Sequence, residues 1–215
     1  MMKGSGASNE TAKLIRDRYS PIPRDENEKV MDGIQKLMLI ARDPTLSLKA
    51  FLDETGRLIH RLFDFREIAI GMKSKDDDYF RYEVLIGFSS DAQRARNKST
   101  YTDDDMLDSK KYPNGIVITK KTEFMIVESQ PYKPGEEDTF NRPNQLRKER
   151  SSIEDFIEGD YILLYFFGRK GEVIGWVELS GTRNGKMPSR STIRWLELIS
   201  SIIASVICER DPSRT

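Results

Sequence analysis

The sequence predicts an α+β fold: a central antiparallel sheet with N- and C-terminal helices packed on one face. Three observations lead there. Apolar residues recur three and four apart near both ends of the chain, over residues 28–41 and 191–208. Strand-like runs between them are joined in pairs by short polar turns, as hairpins. Long polar inserts, 89–122 and 130–160, interrupt those runs. A helical apolar stripe and a one-sided ribbon each leave a face that only a second layer can cover, so each is expected to cover the other.

Taken in order, residues 1–26 are polar, carry Gly and Ser, and hold prolines at 21 and 23. They read as a flexible tail with a short helix around Thr11–Arg18. One domain is expected over 27–210, followed by a short tail over 211–215. Val30, Met31, Ile34, Leu37, Met38 and Ala41 share one helical face, and Pro44 ends that run. A second helix places Leu48, Phe51, Leu52, Leu58, Ile59 and Leu62 at its apolar positions. "REIAIGMK" (66–73) and "YFRYEVLIGF" (79–88) flank the turn "SKDDD" and predict a hairpin, with Phe80, Tyr82, Val84, Ile86 and Phe88 on one side at period two.

Short helices are expected in 89–122, one starting at "TDDDM" with Thr102 as N-cap and Asp105 three residues later. "EFMIVES" (123–129) predicts a strand. A structureless run of the length of 130–160 is unusual inside a compact domain, so a helix is expected near 144–156 and mobility near 133–138. "YILLYFF" (161–167) is apolar without alternation, as for a strand covered on both faces. "GRKG" turns it into "EVIGWVELSG", where Gly175 marks close packing or a bend. The last helix carries adjacent apolar positions on successive turns, a wider stripe than one sheet contact requires.

Composition narrows the role. Lys plus Arg equals Asp plus Glu, 35 each, so a strongly basic nucleic-acid surface is not expected. Cys208 is the only cysteine, which excludes an intramolecular disulfide and argues against a thiolate metal site. No signal peptide or transmembrane run is read, and a cytoplasmic, membrane-free protein is expected. No phosphate loop, zinc spacing or nucleophile elbow is present.

The segment "DYILLYFFGRKGEVIGWVELSGTRNGKMPSRSTIRWLELISSIIASVICER" resembles the closing pattern of GAF domains, sensory folds related to PAS domains. It has the apolar strand, the Gly turn, a second strand, a polar loop and a terminal amphipathic helix. "YPNGIVITKKTEFMIVES" is similar to the family's preceding glycine-then-strand stretch, where a ligand is often walled in. The resemblance covers residues 28–209. It implies a small ligand between the sheet and the polar inserts, with 130–158 as a lid and Tyr82, Ile116, Phe124 and Tyr165 as lining. It also implies a homodimer through the helices near 28–41 and 191–208, which would relay a signal to a downstream protein. The other reading, from a different class, is a protein–protein interaction or dimerisation module with no small ligand.

Reactive candidates are few. His60, the only histidine, lies in "RLIHRLF" without partners the sequence can place, and reads as a helix-face residue. Cys208 lies in the last helix, away from the cysteines of pigment-binding or methionine-sulfoxide-reducing relatives, and reads as a small buried hydrophobe. Asp76–Asp78 and Asp103–Asp105 lack the alternation of a calcium loop. The family's cyclic-nucleotide signature is broken in "TRNGKMPSRST": Met187 replaces the aromatic, and Ser191 and Thr192 stand where the acidic pair belongs. "NQLRKERSS" (144–152) reads as a solvated face of mixed charge. No catalytic residue, metal site or cofactor is expected.

Overall fold

A computed structural model describes residues 10, 13–16, 25–107, 115–129 and 135–211. Residues 13–16 are helical. The rest of the expected N-terminal tail and helix, residues 133–134 of the expected mobile stretch, and residues 212–215 lie outside the described residues.

Helix α1 (Glu26–Ala41) starts where Asp25 caps it, its carboxylate accepting from Glu28 N, with Glu26 and Glu28 at the positive end of the helix dipole. Helix α2 (Leu48–Leu62) is capped by Ser47, whose hydroxyl accepts from Ala50 N. Strands β1 (Phe65–Lys73) and β2 (Phe80–Ile86) form the expected hairpin. Two short helices follow, α3 (Ser90–Arg96) and α4 (Asp103–Leu107). The capping box at α4 forms as the sequence predicts: Asp105 N donates to the Thr102 hydroxyl at 3.2 Å, and Thr102 N donates to the Asp105 carboxylate at 2.7 Å. Strands β3 (Ile116–Val117), β4 (Thr122–Met125), β5 (Tyr161–Phe167) and β6 (Val173–Thr182) precede the last helix, α5 (Arg190–Arg210).

The six strands make one antiparallel sheet in the order β2-β1-β6-β5-β4-β3. β6 is flanked by β1 and β5 and is buried on both faces, which is why "VIGWVELS" is nearly all apolar. Helices α2 and α5 lie on one face, and α1 packs on both of them. Phe51, Ile59, Ile68, Ile70, Ile162, Leu164, Phe166, Leu179, Ile199 and Ile203 fill that interface and are inaccessible to solvent or nearly so. α5 is long and apolar enough by length and composition to cross a membrane, and its buried side packs on β5, β6, α1 and α2.

Glycines set two close approaches. A Cβ on Gly71 would lie 2.3–2.6 Å from the Trp176 indole, so the missing side chain lets that ring lie across β1. A Cβ on Gly175 would lie 2.5 Å from the Gly71 carbonyl oxygen, in line with the close packing expected of this strand interruption.

Three expectations are corrected. Period two does not persist through β2. A bulge opposite Ile70/Gly71 pairs Ile70 with Val84 and Gly71 with Tyr82, leaving Glu83 as the extra residue. Phe80 and Tyr82 therefore face away from the helices, while Val84 and Ile86 face α2. No α-helix forms over 144–156: a single 3₁₀ turn (Pro143–Gln145) is followed by an extended loop. Its apolar residues have no common face, since Leu146 enters a small cluster with Val127 and Phe140 while Phe156 enters the main core. The expected strand over 123–129 ends at Met125 and gives way to a 3₁₀ turn (Val127–Ser129). There Val127 N donates to the buried Asp160 carboxylate at 3.0 Å instead of continuing the ladder.

Candidate functional site: a filled charged centre on the outer face of the sheet

The face of the sheet opposite the helices is where a ligand is expected. In the middle of β6 on that face stands Glu178, only 5% exposed. Its paired neighbours are Ala69 and Leu163, and neither of them answers its charge. The partner comes from α3. Ser89 caps that helix through Ala92 N and anchors it through its own N–H, which donates to the Asn141 side chain at 2.7 Å. Ala92, fully buried against Ala69 and Phe88, lets the helix approach the sheet closely. Arg96 sits one turn later on the same side and is 2% exposed.

Arg96 Nη1 lies 2.7 Å from Glu178 Oε1 and donates to the Tyr82 hydroxyl at 3.0 Å. Its Nε donates to the Thr139 carbonyl at 2.9 Å. The Tyr82 hydroxyl donates to Glu178 Oε2 at 3.0 Å and lies 3.3 Å from the Tyr101 hydroxyl. The guanidinium is centred 4.3 Å over the Phe88 ring and 5.2 Å over Tyr82, contacts that favour a desolvated cation. Trp176 closes the cluster edge-on, with ring centroids 5.4 Å from Tyr82 and 5.7 Å from Tyr101. Tyr101 is delivered by two backbone hydrogen bonds to Phe80, at 2.8 and 3.0 Å.

Burial opposes charge on Arg96, but Glu178 and the two tyrosines outweigh it and hold the guanidinium pKa above its ordinary value. Burial, reinforced by Glu178, pushes the Tyr82 phenol well up, and burial does the same to Tyr101. The result is one ion pair with two neutral phenols, each a hydrogen-bonding partner of the others. Beside it a cavity of about 10 Å³, lined by Glu67, Phe88, Asn141 and Ser180 among others, has room for about one water. Glu67 is buried there; burial raises its pKa, against a hydrogen bond from Asn141 at 2.9 Å.

The roof over this face is tied down by Arg150. It bonds both Asp160 oxygens at 2.9 Å and both Glu128 oxygens at 2.8–2.9 Å, and also meets the Asp155 carbonyl. These carboxylates raise the guanidinium pKa. Asp160, inaccessible to solvent, also accepts from Val127 N and Ile157 N, so one carboxylate joins three segments. On the helix face Glu197 of α5 plays the corresponding part. Its Oε1 accepts from Thr119 and Thr122 hydroxyls at 2.5 and 2.7 Å, joining α5 to the β3–β4 turn.

The four expected lining residues are dispersed. Tyr82 is in the charged cluster. Tyr165 shares its face of the sheet, with its hydroxyl donating to Glu123 at 2.9 Å and its pKa raised by burial and then by Glu123. Phe124 packs against the helix-face core, and Ile116, paired with it in register, is largely exposed on the edge strand. His60 lies on α2, where its carbonyl accepts from Arg183. Cys208 is buried in the core. Lys186, from the loop of the broken nucleotide signature, is held by Asp155 at 2.6 Å. Among the described residues no three His, Cys, Asp or Glu side chains are grouped to hold a metal ion. No pattern in the sequence marks Arg96 or Arg150 as a site residue. The usable signal was Glu178 itself, because a carboxylate inside a strand buried on both faces demands a cation from elsewhere in the chain.

The fold is that of GAF domains. The chain is similar to the GAF domain of an Aquifex protein solved in an inactive state ("A. Aeolicus nlh2"), at 10% identity and TM-score 0.54, covering 87% of this chain and 100% of that one. It is also similar to a GAF domain/HD domain protein from Geobacter sulfurreducens, at 15% identity and TM-score 0.54, covering 76% and 94%. A third is the GAF domain of an Acinetobacter phosphoenolpyruvate-protein phosphotransferase, at 9% identity and TM-score 0.53, covering 83% and 92%. Neither a protein-family model nor a curated protein matches the sequence.

Proposed function

We propose that this chain is a non-enzymatic GAF-like regulatory module that works by associating with protein, first with a second copy of itself, and that its own side chains take the place of a small ligand at the centre of the sheet. The observation that carries this is the Arg96–Glu178 pair, which with Tyr82, Tyr101 and Trp176 fills the middle of the ligand face. A ligand there would have to displace a buried, hydrogen-bonded ion pair, and leaving either charge unpaired costs about 3–5 kcal/mol.

The seam of the dimer is a strip on α1 and α5. Met31 and Met38 are 51% and 48% exposed and lie on the same flank of α1 as Asn27. Asn27 is the residue that meets Trp195 of α5, with Nε1 donating at 3.4 Å, so this flank borders α5. On α5, Trp195, Leu198 and Ile202 share a flank, and Leu198 is 43% exposed. A continuous apolar strip across two adjacent helices suits a two-fold partner that presents the same strip. A reducing, cytoplasmic setting fits the free, buried Cys208.

Native mass spectrometry and light scattering test both parts. A dimer of 24.8 kDa chains with no retained metabolite is expected, and Met38→Glu with Leu198→Glu should yield a folded monomer. A wild-type protein that stays monomeric at its highest soluble concentration would remove the self-association reading. A metabolite carried through purification and lost in Arg96→Ala would restore the small-molecule sensor.

A further inference from the structure

At the end of the sheet where β1 begins and β6 stops, an open groove of about 350 Å³ is lined by residues of three separate segments. The sheet end contributes Arg66 and Arg183; the insert contributes Arg142 and Lys148. Half-buried Ile157 adds apolar surface, with buried Phe156 behind it. Arg142 is engaged by Glu158, with Nη2 at 2.6 Å from the carboxylate. The acid Asp155 is neutralised by Lys186 at 2.6 Å. Among the described residues Arg66, Arg183 and Lys148 form no ion pair: Arg66 donates to the Arg183 carbonyl at 3.0 Å and Arg183 to the His60 carbonyl at 3.0 Å. Carbonyl contacts hold the two guanidinium groups in place without a carboxylate salt bridge to either. Of the lining acids, Glu149 alone has no ion pair among the described residues.

A chain with 35 basic and 35 acidic residues has therefore placed a local surplus of cations around one concave surface. We propose that this groove docks an acidic peptide segment of a protein partner, two or three of whose carboxylates meet Arg66, Arg183 and Lys148 while an apolar side chain rests on Ile157. The proposal rests on the reading of the chain as a protein-association module and supplies the chemistry of its second partner. Planar guanidinium groups fixed at their carbonyls are suited to carboxylates, which they receive two-pronged. Nucleic acid fits less well. Its affinity comes from many phosphate contacts along a continuous basic track, and this groove is short and carries Glu149 and Asp155.

Fluorescence anisotropy with a labelled hexaglutamate peptide is the test, with inorganic phosphate and a short DNA duplex as competitors. Saturable binding that weakens as salt rises is expected, together with a loss of about tenfold in Lys148→Glu and in Arg183→Glu. Lys148→Glu guards against misfolding, because the Lys148 side chain is exposed and has no hydrogen-bond partner among the described residues. Backbone amide shifts should map to residues 142–158 and 181–186. Undiminished affinity in both variants overturns the proposal. So does displacement of the peptide by phosphate as readily as by free glutamate peptide, which would make the groove a small-anion site, or tighter binding of the duplex through the same residues. Oligomeric state is read separately by light scattering: a monomer that still binds the peptide sinks the dimer and leaves the groove standing, and a dimer that ignores the peptide does the reverse.

Discussion

The two faces of the sheet are built on different physics. The helix face is an apolar interface in which Ile162, Leu164 and Phe166 of β5 meet Ile199 and Ile203 of α5 in one cluster. Its stability comes from area removed from water, about 25 cal/mol per Å². The outer face instead buries Arg96, Glu178, Tyr82 and Tyr101, whose burial is tolerated because the guanidinium, the carboxylate and the phenols pair with one another. An apolar interface is forgiving of shape and graded in cost, whereas a buried ion pair is close to all-or-none. A chain that fills its ligand face in the second manner has a single well-defined arrangement there, which is what an interaction module needs and an adaptable pocket does not.

The largest expected effect breaks the outer face. Arg96→Ala should cost about 3–5 kcal/mol, because Glu178 stays buried without its cation. Replacing both partners, Arg96→Met with Glu178→Leu, should recover most of that loss, since an apolar pair of similar volume makes no unpaired charge. Urea unfolding measures both. A loss below about 1 kcal/mol for Arg96→Ala would mean that water reaches the pair and that the centre is not closed. Next comes the helix face: Ile199→Ala should cost about 2–5 kcal/mol by transfer and cavity together, with no double substitution needed to interpret it.

This contrast also explains which parts of the molecule the sequence made legible. Helical and strand periodicity reports a continuous apolar face, so α1, α2, α5 and the two hairpins could be read directly. The outer face has no period. Arg96 belongs to a seven-residue helix too short to show an amphipathic pattern, and its partner is 82 positions away in the chain. The alternation expected across Phe80–Phe88 fails at one residue, Glu83, because a bulge turns Val84 and Ile86 to the other face. The 144–156 stretch departs from a helix for a related reason: Arg150 is held by the carboxylates of Glu128 and Asp160 rather than by helical neighbours.

The smallest effects are pH-dependent, and the two faces should give opposite signs. Glu67, in the outer-face cavity, has its pKa raised by burial. Below the ordinary value of 4.5 it is protonated in both states, and its contribution is complete. As pH rises past that value the unfolded chain ionises first, so this contribution is lost until pH passes the folded pKa. Glu197, at the helix-face edge, is opposed by burial but stabilised as a carboxylate by Thr119, Thr122 and Arg194, and its pKa is lowered. Its contribution is complete above 4.5 and is lost as pH falls through the folded value. Glu67→Gln keeps the oxygen that Asn141 Nδ2 donates to, and Glu197→Gln keeps the oxygen shared by the two threonines. The wild-type-minus-variant stability should therefore fall with rising pH for Glu67→Gln and rise with it for Glu197→Gln, in unfolding curves taken from the acid side of 4.5 to neutrality. Two slopes of the same sign would show that burial does not set the outer-face acid apart, and the contrast between the faces would reduce to the ion pair alone.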